Sequence, residues 1–157
     1  MNSARDEIMA RVKGGLGKAD YAARRAAAEA AMATPVRGPQ PVLAGELLTR
    51  FQAKAESLSS TVERVAGWDE VLPALVCYLD QASLPRQAVI TADLSALDWT
   101  AAGMAVAVRA AIDADQVGIS GCFCAIAETG TLMLLSGVDS PASVSLLPEI
   151  HIALVPV

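Results

Sequence analysis

The chain has 157 residues, 54% hydrophobic, 18% charged and only 4% aromatic, with a net charge of −5. That length fits one domain, or one domain with an N-terminal extension, and the apolar content far exceeds that of a disordered chain. The acidic balance speaks against a nucleic-acid binder, which needs a basic face, and no run reaches the roughly 18 apolar residues of a membrane span.

Asp6 and Glu7 stand where a secretory signal is basic and then apolar. Three cysteines, an odd number without framework spacing, indicate reduced thiols, so a cytoplasmic location is expected. By its arginines the stretch 22–33 could pass for a transit peptide, but Glu29 and the helical pattern before it favour a plain helix.

Taken in order, Ser3 is a plausible N-cap with Asp6 and Glu7 in the first turn after it. Ile8, Met9 and Val12 follow at helical spacing, and Gly14-Gly15 stop the helix. A second helix is predicted from about Ala19 to Ala33. The stretch TPVRGPQPV, residues 34–42, carries three prolines and a glycine and reads as an extended linker. Residues 1–42 are thus a helical N-terminal arm and linker, suited to packing on the body or on a partner.

From Leu43 helices and strands alternate. GELLTRFQAKAESL places Leu47, Leu48, Phe51, Ala55 and Leu58 on one side of a helix. TVERV (61–65) reads as a short strand, and WDEVLPALVCYLDQA as a helix with Pro73 near its start. QAVITA, MAVAVRA and QVGIS read as strands, CFCAIAE (122–128) as a short helix, and GTLMLLS (130–136) as a buried strand. GVDSP turns the chain, ASVSLLP forms a helical turn, and EIHIALVPV ends it on a strand. This order predicts an α/β fold over 43–157, with a mostly parallel sheet and helices on both faces.

The chemistry concentrates in VGISGCFCAIAETGT. With a helix at 122–128, Ser120 is its N-cap and Gly121 its close turn, at the carboxyl end of a strand where α/β sheets bind ligands. Glu128, Thr129, Gly130 and Thr131 then stand at the other end of the same helix. A glutamate partly removed from water there would suit proton transfer or a hydrogen bond to a hydroxy acid. The bland alternative is a capped helix whose Glu128 is solvated or paired. His151, the only histidine, is either a catalytic base lining the same crevice or a core or edge histidine with a backbone partner. No nucleophile elbow supports a hydrolase triad, and the glycines of GGLG follow a helix, so a dinucleotide fingerprint fails on context. Cys122 and Cys124 read as buried apolar thiols; with Cys77 they give at most three ligands, so no metal or cluster site is expected.

These residues together resemble the LutC/YkgG family of lactate-utilisation proteins, built on the LUD domain. The resemblance rests on AIAETGTLMLLSG (125–137) followed by SLLPEIHIALV (145–155), with VGIS, LDWTAAG, TVERVAGWDEV and ARDEIMARVKGGLG in the family's order. It implies a fold like that of glucosamine-phosphate deaminase, ribose-phosphate isomerase and the CoA-transferases. It also implies oxidation of L-lactate to pyruvate together with LutA-like and LutB-like iron–sulfur proteins, which carry the clusters, while this chain binds no cofactor directly. The AETG turn is similar to the CoA-transferase turn that carries a nucleophilic glutamate. A stand-alone CoA- or acyl-transferase or sugar-phosphate isomerase using Glu128 is therefore the alternative, and a pure interaction module a third reading. A small carboxylate or phosphate is the expected ligand. The family pattern continues past this last strand to a GPS-x-TADIE-like loop, whereas this sequence ends at Val157.

Overall fold

The computed structural model describes residues 3–16, 20–35, 38 and 45–157, in two compact units, Met1–Val42 and Leu43–Val157. The first unit holds helices α1 (Ala4–Gly15) and α2 (Tyr21–Ala33). Ser3 caps α1 in a reciprocal capping box with Asp6, and the Asp20 carboxylate caps α2. Arg24 Nη1 donates to the carbonyl of Leu16, 3.3 Å away, at the end of α1. Neither helix buries a residue, and Ile8, Met9 and Val12 face solvent. Most of the Pro-rich stretch 34–42 lies outside the described residues.

The second unit runs α3 (Leu47–Ser57), α4 (Trp68–Gln81), β1 (Gln87–Ile90), a 3₁₀ turn (Ala92–Leu94), β2 (Ala105–Val108), β3 (Val117–Gly121), β4 (Cys124–Ile126), β5 (Thr131–Met133), α5 (Ser143–Leu146) and β6 (Ile150–Leu154). Four strands form a wholly parallel sheet in the order β2-β1-β3-β6. The fold is the expected α/β type. One face, bearing Ala88, Ile90, Val117 and Ile119, packs on Leu75 and Leu79 of α4, with Ile152 and Leu154 joining from β6. Each large side chain removed from water here stabilises by about 1.5–3 kcal/mol. Trp99 closes this core and donates its indole N–H to the Leu94 carbonyl at 2.9 Å. The other face carries Val89, covered by Val144 of α5 and by Ala111. Gly118 lets α5 approach, since a Cβ there would overlap the Val144 carbonyl oxygen. Among the described residues no helix is long and apolar enough to cross a membrane.

Three local expectations are corrected. Residues 61–65 have no regular secondary structure and pair with no strand, so no ladder forms. The short helix at 122–128 does not exist: Cys124–Ile126 is a strand, paired antiparallel with Thr131–Met133 in a separate two-stranded sheet. Ser120 and Gly121 accordingly belong to β3 and cap nothing. The run at 130–136 is a hairpin arm of three residues, with Thr131 and Met133 exposed, and not a buried strand of the main sheet. The physical reason is common to the last two. CAI and TLM flank the four-residue turn AETG, and cross-strand pairing satisfies their backbone better than one isolated helical turn would.

Candidate functional site

The chain passes from β1 outward to β2 and then back to β3 on the other side of β1. The crevice beyond the carboxyl ends of β1 and β3 is therefore a switch point, where open α/β sheets take ligands. Thr91 follows β1, and its backbone N–H donates to the Ile119 carbonyl at 3.2 Å. Its hydroxyl accepts from Gly121 N at 3.4 Å. Asp93, in the 3₁₀ turn, lays its carboxylate over Gly121 at the place a side chain would occupy. Thr91 and Ser120 are the two buried polar residues of this region, 1% and 4% exposed.

His151 reaches the same edge from β6. Its backbone pairs with Gly118, and its Nε2 lies 2.9 Å from Ser120 Oγ. The serine hydroxyl also lies 2.9 Å from the Gly121 carbonyl. It has one proton, so it donates either to that carbonyl or to the ring, and in the first case the imidazole N–H donates to it. Burial pushes the His151 pKa below the ordinary imidazole value, which keeps the ring neutral at pH 7. Among the described residues no carboxylate orients the ring, and Ser120 is buried. The pair is thus a proton-sharing dyad within the sheet edge, unlike an exposed hydrolytic nucleophile.

The segment after β5 folds over this edge. The Asp139 carbonyl accepts from Ala92 N at 2.9 Å, and Gly137 and Ser140 exchange backbone hydrogen bonds of 3.0 and 3.3 Å. Beneath them is a hollow of about 50 Å³ lined by Thr91, Ser120, Ser136, Ser140 and Ser145 with apolar neighbours. A larger hollow, about 310 Å³, runs from the amino-terminal ends of β1 and β3 along β2 to Arg109. Alanines and strand backbone make up much of its wall, and its Arg109 and Asp115 are paired through two contacts of 2.7 Å. The Arg109 guanidinium holds the Asp115 carboxyl below the usual range. The smaller hollow holds the unengaged chemistry.

The sequence-selected residues thus divide. Ser120, Gly121 and His151 come together at the switch point. Glu128, Thr129, Gly130 and Thr131 form the turn of the β4–β5 hairpin. Glu128 is exposed there and makes no hydrogen bond or ion pair among the described residues. Thr129 Oγ1 donates to Thr131 Oγ1 at 2.8 Å. Gly130, at φ +72°, brings the turn against α3, where a Cβ would come within 2.6 Å of Ala55 N. Sequence reading missed Thr91 and Asp93, and their signal was a polar T-A-D directly after the apolar strand QAVI.

The thiols also differ from expectation. Cys77 and Cys124 are exposed and Cys122 is half-buried, because the hairpin carries Cys124 away from the core. Burial pushes the Cys122 thiol up, and its Sγ donates to the Cys124 carbonyl at 3.0 Å. Among the described residues no group of three or more His, Cys, Asp or Glu is placed to hold a metal ion. A cluster generally takes four cysteines, and this chain has three.

Comparison with curated proteins gives no match, and neither does comparison with solved structures. The profile of the LUD domain matches residues 46–157, the whole of the sheet, hairpin and switch point. The chain belongs to the LUD domain family, that of the lactate-utilisation proteins.

Proposed function

We propose that this chain is a LutC-like subunit of a cytoplasmic system that oxidises L-lactate to pyruvate together with LutA-like and LutB-like iron–sulfur proteins. The observation that carries the reading is the Ser120–His151 dyad at the sheet's switch point in a LUD domain. Oxidation removes two electrons and two protons from the lactate C–H and O–H. The electrons pass to clusters on the partners. This chain's residues take the hydroxyl proton, and the C–H hydrogen leaves with the electrons to the partners' redox centres. Ser120 lines the hollow and touches His151, so a substrate hydroxyl can pass its proton to Ser120 Oγ while the serine proton moves to the neutral imidazole. A transferase or isomerase working through Glu128 has less support, since that carboxylate stands exposed on a hairpin turn.

The test is reconstitution with the two iron–sulfur proteins and measurement of pyruvate formed from L-lactate. The reading expects turnover to require this chain and to fall in the Ser120→Ala and His151→Phe variants. Full turnover without the chain, or with both variants, would sink it.

A further inference from the structure

We infer that the hollow between Thr91, Ser136 and Ser140 is a carboxylate subsite for small 2-hydroxy and 2-oxo acids. This rests on the lactate reading for its choice of acid, and on hydrogen-bond accounting for its choice of group. Five hydroxyl side chains line the hollow, and no charged side chain does. Two are engaged as donors: Ser145 Oγ donates to the Ala142 carbonyl at 3.0 Å, and Ser120 shares its proton as described above. The other three are not. Thr91 Oγ1 accepts from Gly121 N, but among the described residues it donates to nothing, although Thr91 is 1% exposed. Ser136, which is exposed, and Ser140, which is half-buried, line the same hollow, and their hydroxyls have no protein partner among the described residues. Thr91 is the telling case of the three, because a buried O–H without an acceptor is costly and rare in a folded protein.

A buried hydroxyl proton without an acceptor, with two further hydroxyls lining the same hollow, suits a group that is all acceptor. A carboxylate is such a group, with two oxygens and about four lone-pair sites, and hydroxyl donors bond a charged acceptor more strongly than a neutral one. Size points the same way. A water needs roughly 10–15 Å³ of this kind of space. The hollow's volume of about 50 Å³ therefore admits a carboxyl group and the carbon that bears it. Sites that enclose drug-sized ligands begin at ~300 Å³, so this hollow encloses one small group and not a whole sugar phosphate or CoA moiety. Ser120 lines the same hollow, so an acid held by its carboxylate presents its 2-hydroxyl or 2-oxo oxygen to the dyad. Asp93 stands over Gly121 and is not among the lining residues, so no carboxylate of the chain competes for the donors.

The experiment is titration of the full chain with acetate, L-lactate and pyruvate, followed by saturation-transfer NMR, with inorganic phosphate as a competitor. Thr91→Val removes the donor at nearly constant shape, Thr91→Ser restores it, and Ser140→Ala removes a second donor without touching the Gly121 contact. Loss of one hydrogen bond to a charged group predicts affinity lower by about tenfold or more for all three acids in Thr91→Val and Ser140→Ala. Thr91→Ser should stay near the wild type. Acids that bind both donor-deleted variants as tightly as the wild type would overturn the subsite, as would phosphate binding more tightly than acetate. Acetate binding that depends on Thr91, in a protein that supports no lactate oxidation with its partners, would keep the subsite and reject the lactate reading. Lactate oxidation undiminished in Thr91→Val and Ser140→Ala would do the reverse.

Discussion

Replacing Gly118 with alanine tests how the second face of the sheet is built. The residue lies in β3 under α5, and an added methyl would overlap the Val144 carbonyl oxygen. It would also come within 3.0 Å of Pro148 Cγ and 3.1 Å of the Val144 carbonyl carbon. Two of these atoms are backbone, so relief requires moving α5 and not merely rotating a side chain. Overpacking of this kind costs about 1–3 kcal/mol, partly offset by about 0.4–1 kcal/mol from the stiffer unfolded chain. If α5 lifts away entirely, the loss is capped near the burial of Val144, which is 0% exposed, at roughly 1.5–3 kcal/mol. The expected net destabilisation is about 1–2 kcal/mol, or a Tm lower by about 4–10 °C in a domain of this size. Gly137→Ala is the control, because a methyl there meets nothing within 4 Å. Urea unfolding of both variants gives the comparison. Equal stability of the two would refute the close approach of α5 to β3.

Other consequences are as direct. Gly130→Ala should cost about 1–2 kcal/mol, because φ is +72° and Ala55 N blocks the methyl; proteolysis within residues 124–133 should then rise, and unchanged stability would contradict the packing of the turn on α3. His151 has a depressed pKa in the folded state, so the unfolded chain binds its proton first as pH falls below about 6.5. Stability of the wild type relative to His151→Gln should therefore decline through that window and level off below the folded pKa; a pH-independent difference would mean the ring is not buried. Asp115, depressed by Arg109, contributes stability above the ordinary carboxylate pKa that is lost as pH falls through its folded value, and Asp115→Asn should flatten that acid limb. Glu128→Gln should leave stability within about 0.5 kcal/mol and carboxylate binding as in the wild type; lost binding would bring the hairpin turn into the site.

What could be read from sequence follows from the range of the interactions involved. QAVI, AVAV, VGIS and IHIAL are short apolar runs bounded by turns, and local pattern suffices to mark them as strands of a covered sheet. The period of two in IHIAL puts Ile152 and Leu154 on one face of the last strand and His151 on the other, as their packing shows. The hairpin was misread because three-residue arms carry too little periodicity to separate a strand from a helical turn. AETG with its glycine was the better guide. TVERV has strand-like residues but no partner, and β propensity is realised only through a neighbour. The Ser120–His151 contact joins residues 31 apart and depends on β3 and β6 being adjacent. The sequence put both residues forward, but only the sheet order pairs them. Thr91 and Asp93 show the converse, a local signal at a strand's carboxyl end that was passed over for a more conspicuous glutamate.

The most direct measurement is a residue-resolved map of where the acid binds. Backbone amide shifts recorded while L-lactate is titrated into the labelled protein distinguish the two ends of the hairpin. Binding at the switch point predicts the largest shifts at Thr91, Ser120, Gly121 and Ser140, with residues 128–131 unmoved. Shifts centred on Glu128, Thr129, Gly130 and Thr131, with Thr91 and Ser120 silent, would contradict the account and return the chemistry to the AETG turn.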